Sequence, residues 1–302
     1  MTLLFENRDK TPPTPAKLLR SWLETAVAEE APLAWLDERI AAVESGDAAA
    51  LYLGFGFAPR KVGKQPLQLS DLQLELAQET RNGWNPSTWN VGQAARTLLL
   101  LSIPSEDPGP YFERLEKLFN AAELTEAVAL FQALPLLPHP ELLIDRAIDG
   151  LRTNVKTIFN AIAHHNPFPE EYFSEAAWNQ MVLKALFIGS ELDPMIGIDR
   201  RVNPALAEML IDYAHERLAA KRPIPAELWR MVGPFADETA LSDMAAILAE
   251  GSEVEQAAVA LALAAAASDE ADEILQTKPQ LATQIDQGKI TWSGVCAAAY
   301  AN

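Results

Sequence analysis

Apolar residues recur three and four positions apart in one short segment after another, and most segments stop at Pro, Gly or Asn. A chain patterned in this way buries its apolar faces as short helices joined by turns. The runs of β-branched residues that favour strands are missing, so an all-α fold is expected. Helices are expected over 15–30, 32–45, 71–81, 88–102, 110–122, 124–133, 140–152 and 154–165, then over 174–189, 203–220, 225–235, 238–250, 253–267, 269–276 and 279–287. Residues 47–57 (DAAALYLGFGF) leave helix and extended chain open, 58–66 read as a loop, and the alternation in LQLSDLQLEL permits a strand, with helix preferred. Segments 111–152 and 239–276 each look like a stacked helix pair of HEAT size, ~40 residues. The expected architecture is one continuous helical domain, 1–302, arranged as an irregular α-solenoid-like (HEAT-like) array, with a globular bundle as the alternative. It comprises a distinctive core segment, 154–235, and an acidic repeat-like C-terminal part, 236–302.

The net charge of −18 is uneven: −7 over residues 1–153, −2 over 154–235 and −9 over 236–302. So acidic a surface repels phosphate backbones and anionic headgroups, which argues against nucleic-acid or membrane-surface binding. Cys296 is the only cysteine, so neither an intrachain disulfide nor a cysteine metal cluster is available. The start, MTLLFENRDK, meets charge at its sixth residue and has no signal-peptide apolar region. The longest apolar run, 257–267, is too short to cross a bilayer. A cytoplasmic protein without direct membrane insertion is expected.

Within 154–235 the side chains stop being generic. Segment 174–189 is apolar almost all round, as a central buried helix would be, with Trp178, Leu183 and Leu186 in the core. Asn179 and Lys184 then need partners: Asn179 braces a neighbouring loop and Lys184 reaches the surface along its stem, or both border a polar pocket. His165 projects with Ile158, Ala161 and Ile162 on the apolar face of 154–165, a place for a structural or a ligand-binding imidazole. Glu208, Asp212 and His215 share a face of 203–220, but opposite its apolar stripe, so a solvated face explains them better than a metal site. Arg217 falls inside that stripe. Its charge cannot be removed, so burial demands a carboxylate or a bound anion. Asp199 is the expected partner, with Asp193 and Glu227 as others. No phosphate-cradling glycine loop, nucleophile elbow or His-x-x-x-His pair is present; no catalytic residue, metal or cofactor is expected.

The phrases NPFPEEYF, WNQMVLKALF, GIDRRVNPALAEMLIDYAHER and ELWRMVGPF, in this order, resemble the EboA family, most closely over 160–235. The resemblance implies a cytoplasmic helical protein encoded with a UbiA-like prenyltransferase and hydrolase-like or synthase-like proteins, in clusters associated with traffic of secondary-metabolite precursors. It carries over no catalytic residues. It marks Asn166, Asn179, Lys184, Asp199, Arg200, Arg217, Trp229 and Arg230 as matching positions; with His165 these are the candidate ligand-binding residues. The expected function is that of a non-catalytic accessory protein of a precursor traffic or export pathway, binding a small or prenylated metabolite or a pathway enzyme. The alternatives are an enzyme using Lys184, His165 and Arg217 in a pocket between central helices, and a pure protein–protein scaffold.

Overall fold

Every regular element among residues 12–301, the part of the chain that the computed structural model describes, is a helix. The opening segment MTLLFENRDK, read above for a signal peptide, lies outside the described residues. The α-helices are α1 (Pro15–Ala26), α2 (Glu30–Glu44), α3 (Ala48–Lys61), α4 (Asp71–Thr80), α5 (Val91–Leu101), α6 (Pro108–Ala121), α7 (Leu124–Ala133), α8 (Ile144–Gly150) and α9 (Lys156–Ala163). They continue as α10 (Phe168–Tyr172), α11 (Glu175–Ile188), α12 (Pro204–Ala219), α13 (Leu228–Val232), α14 (Glu238–Glu250), α15 (Glu253–Ala265), α16 (Asp269–Leu275), α17 (Pro279–Asp286) and α18 (Trp292–Ala299). The only β contact among the described residues is an isolated bridge between Pro66 and Asn90.

Contacts divide the chain into two compact units meeting in sequence at Tyr172 and Phe173. The first is centred on α5, which packs against α1, α2, α3 and α7. Asn90 and Gln93 start α5 with a reciprocal cap: the Gln93 N–H donates to Asn90 Oδ1 at 2.9 Å and the Asn90 N–H to Gln93 Oε1 at 2.7 Å. Nine of its eleven residues are buried, so α5, and not 174–189, is the helix more completely sunk in a core. Six of the fourteen residues of α11 are buried, Trp178 and Leu186 among them, but Leu183, expected in the core, is only half-buried, and Phe187 is 65% exposed.

Residues 47–57 are helical, with Asp47 capping α3 through the N–H groups of Ala49 and Ala50. The loop expected over 58–66 begins later, because α3 runs through Pro59 to Lys61. Proline lacks the N–H that would bond the carbonyl four residues back, here that of Phe55. Arg96 supplies the missing donor: its Nε donates to the Phe55 carbonyl at 2.9 Å. A cation from α5 thus completes a hydrogen bond that α3 cannot make by itself.

In the second unit α15 is the centre, touching α13, α14, α16, α17 and α18. Alanine makes these approaches close. At Gly233 an added Cβ would stand 2.5 Å from the Ala262 carbonyl, so the turn after α13 lies directly on the α15 backbone. The apolar tail TWSGVCAAAY forms a helix of its own, α18, capped by Thr291. No helix among the described residues is long and apolar enough to cross a membrane.

Candidate functional site

The second unit holds a buried cation on one of its shortest helices. Arg230, on the short and wholly buried α13, donates from Nε and Nη2 to the two carboxylate oxygens of Asp199 at 2.6 and 2.8 Å, and from Nη1 to Asp193 at 2.7 Å. Both acids sit in the turns between α11 and α12. Burial opposes the charge, and the bonds to Asp199 and Asp193 more than offset it, leaving the guanidinium above its ordinary range. Its plane also lies over Trp292 of α18, 5.7 Å from the ring centroid.

Glu227, one turn earlier, is 1% exposed. Its oxygens accept the Leu192 and Asp193 N–H groups at 2.9 Å each. Burial nevertheless pushes its carboxyl above the usual range, against the opposing pull of those two N–H groups and of Arg230. Cys296 lies beside this group, its thiol pushed up to about 12 by burial and then by Glu227, Glu191 and Asp193, so it is inert rather than nucleophilic.

One side of Glu227 opens on a cleft of about 610 Å³, within the size range of small-molecule sites. Its wall is apolar at Leu186, Phe187, Ile188, Ile224, Ala226 and Val254, and polar at Arg217, Glu227, Glu255 and Tyr300. Ala226 belongs to a core cluster with Ala258 and Val295, so that wall rests on α15 and α18. The Tyr300 hydroxyl donates to the Ser190 carbonyl at 3.3 Å, and burial raises its pKa.

The expected pairing of Arg217 with Asp199 is not what forms. Arg230 takes Asp199, 31 residues away in sequence, while Arg217 is half-buried in the cleft wall. Arg217 donates from Nε to the Pro223 carbonyl at 2.6 Å and from Nη1 to the Tyr213 hydroxyl at 2.9 Å. The reason is geometric: α12 starts at Pro204 and carries Arg217 13 residues, ~20 Å, beyond that start, away from the turn that holds Asp199.

The other sequence candidates serve local structure. Asn179 and Asn203 exchange amide hydrogen bonds at 3.1 and 2.9 Å, bracing the chain that enters α12. Asn166, 2% exposed in the first unit, donates from Nδ2 to the Phe131 and Ala161 carbonyls and accepts from the Phe168 N–H. His165 does not project from a helix face, because α9 ends at Ala163 and His165 adopts a left-handed φ of 53°. Lys184 places its ammonium over the Phe187 ring at 5.6 Å. Arg200 is exposed in the turn before α12, and Trp229 is buried in α13. Glu208 and Asp212 are exposed, while His215 bonds Asp243 at 2.8 Å. No cluster of three potential metal ligands occurs among the described residues. Of the nine candidates, the structure brings Asp199 and Arg230 together and puts Arg217 in the cleft. His165 and Lys184 are not among the cleft's lining residues, as the enzymatic alternative had required.

Sequence reasoning did not single out Phe187, Tyr300 or Val254 for the site, and it gave Glu227 only the role of a spare partner. Phe187 was lost in a helix that looks apolar on every side, and the others lie on segments whose patterns are ordinary.

A protein-family model described as "Metabolite traffic protein EboA" matches residues 15–233. The match begins well before 160, where the resemblance had looked strongest, and ends just after α13. No curated protein and no solved structure is detectably similar to the chain.

Proposed function

The chain belongs to the EboA family, and from that premise we propose that it is a non-catalytic accessory protein of metabolite traffic that holds a small or prenylated metabolite in the cleft of its second unit. The observation that carries this reading is the cleft itself: about 610 Å³, lined by apolar side chains and by a half-buried cation. Such a wall suits a molecule with an apolar body and one polar end. The cytoplasm as its location and enzymes of the same pathway as further partners belong to the same proposal, and rest on the family. The HEAT-like reading of the helices rests on pairs such as α14 and α15, joined by the two residues Gly251 and Ser252.

Native mass spectrometry of the protein purified from its own host tests the proposal. A retained small molecule is expected, lost when Val254→Trp fills the cleft. Retention unaffected by that substitution would place the ligand elsewhere. An enzymatic reading draws on Glu227, a buried carboxyl of raised pKa at the cleft wall. Turnover of the retained molecule by the purified protein alone, abolished by Glu227→Gln, would replace the carrier reading with it.

A further inference from the structure

The charged groups in the wall of the cleft differ in how much of their hydrogen-bonding capacity is already used. Both oxygens of Glu227 are occupied by backbone N–H groups. Glu255 is committed to the start of α15, where its Oε2 accepts from the Ser252 N–H at 2.9 Å and the Ser252 hydroxyl at 2.7 Å. Arg217 is different. Its Nε and Nη1 are anchored on Pro223 and Tyr213, and the guanidinium lies 5.5 Å from the Tyr213 ring centroid. Among the described residues it forms no ion pair, and its Nη2 has no acceptor. A half-buried guanidinium held in one orientation with donors to spare is suited to an oxyanion.

We infer that the cleft takes an amphiphile ending in a carboxylate, with the carboxylate on Arg217 and the apolar body along Leu186, Ile188, Ile224 and Val254. This deepens the carrier reading and rests on it. Charge selects a carboxylate over a phosphate. Among the described residues Arg217 is the only cation lining the cleft, and two carboxylates share the wall with it. One guanidinium compensates one negative charge. A phosphate monoester carries −1.5 to −2 at neutral pH, so its second charge would face Glu227 and Glu255 without a partner, in a chain of net charge −18. A neutral head can accept from Nη2 but leaves the guanidinium charge without a counter-ion. Phe187, exposed and carrying Lys184 over its ring, then flanks the apolar body at the rim.

Calorimetric titration of the full chain with dodecanoate, dodecanol and dodecyl phosphate below their micellar concentrations tests this. Dodecanoate should fill one site, with dodecanol and dodecyl phosphate each about tenfold or more weaker, the scale of a hydrogen bond to a charged group. Arg217→Gln should bring dodecanoate down to the affinity of dodecanol and leave dodecanol unchanged, Arg217→Lys should keep part of the preference, and Val254→Trp should abolish binding of all three. Equal affinity for dodecanol and dodecanoate, tighter binding of dodecyl phosphate, or an Arg217→Gln protein that binds dodecanoate normally overturns the carboxylate assignment and leaves the carrier reading standing. No binding of any of the three, or dodecanoate binding indifferent to Val254→Trp, removes both. The comparison of heads uses the unsubstituted protein, so it decides the matter even if Arg217→Gln fails to fold.

Discussion

Replacing Arg230 with alanine removes the cation from the most polar part of the second unit's interior, and the cost follows from where its partners sit. Asp199 accepts two of the three hydrogen bonds, but its side chain is 64% exposed. Water solvates it once Arg230 is gone, so this pair contributes up to about 1 kcal/mol, as surface pairs do. Asp193 accepts only one bond, but it is 24% exposed and stands beside the buried Glu227. Losing its cation approaches the rupture of a buried pair, for which about 3–5 kcal/mol is typical; partial exposure brings this to about 2 kcal/mol. With the packing lost on Trp292, Arg230→Ala should destabilise the second unit by about 3 kcal/mol. Tryptophans in both units would blur a fluorescence transition. Cys296 reports on the second unit alone, being the only cysteine and buried there. Pulsed thiol labelling across a urea series therefore isolates the unfolding that matters. Double-mutant cycles sharpen the test: coupling of Arg230 to Asp193 should exceed coupling to Asp199, despite the bidentate geometry of the latter. A shift below about 1 kcal/mol, or the reverse order of couplings, would refute the argument that burial of the partner, not the number of bonds, sets the cost.

Asn166→Ala should cost the first unit about 2–3 kcal/mol in chemical denaturation, because it strips the Phe168 N–H of its acceptor and two carbonyls of their donor. An effect under about 0.5 kcal/mol would mean that the turn re-forms its bonds. Tyr111→Phe should change stability by less than about 0.5 kcal/mol or raise it, since the buried Tyr111 hydroxyl meets no hydrogen-bonding group among the described residues; a loss above about 1 kcal/mol in the same assay would show a partner. Glu227 has its carboxyl raised by burial above the ordinary 4.5, so the folded state holds that proton more tightly than the unfolded chain. Its contribution is fully present below pH 4.5 and is lost as pH rises through the raised value. The stability of the unsubstituted protein minus that of Glu227→Gln should therefore fall as the pH rises above 4.5, and a difference that grows instead would reverse the sign of the argument.

Local pattern alone determined a good deal about this protein. The all-helical class and the limits of α7 and α14 follow from apolar spacing and from residues that cap helices, which act within a turn or two of the chain. The family was legible too, because its phrases are contiguous. Failures began wherever a residue answers to something distant. Pro59 reads as a helix breaker, and only the arrival of Arg96 from α5 lets α3 continue past it. The two arginines 217 and 230 are both cations in apolar surroundings; which one is sealed off with carboxylates depends on contacts 31 and 37 residues apart in sequence. A helical wheel has no access to such distances. It assigns a face, whereas α12 also carries its residues along an axis, and that translation took Arg217 away from Asp199 and into the wall of a cleft. The cleft itself is a product of tertiary structure, because its sides come from α11, the last turn of α12, the turn before α13, the start of α15 and the end of α18. Periodicity decides which residues leave water, and packing decides which of them meet.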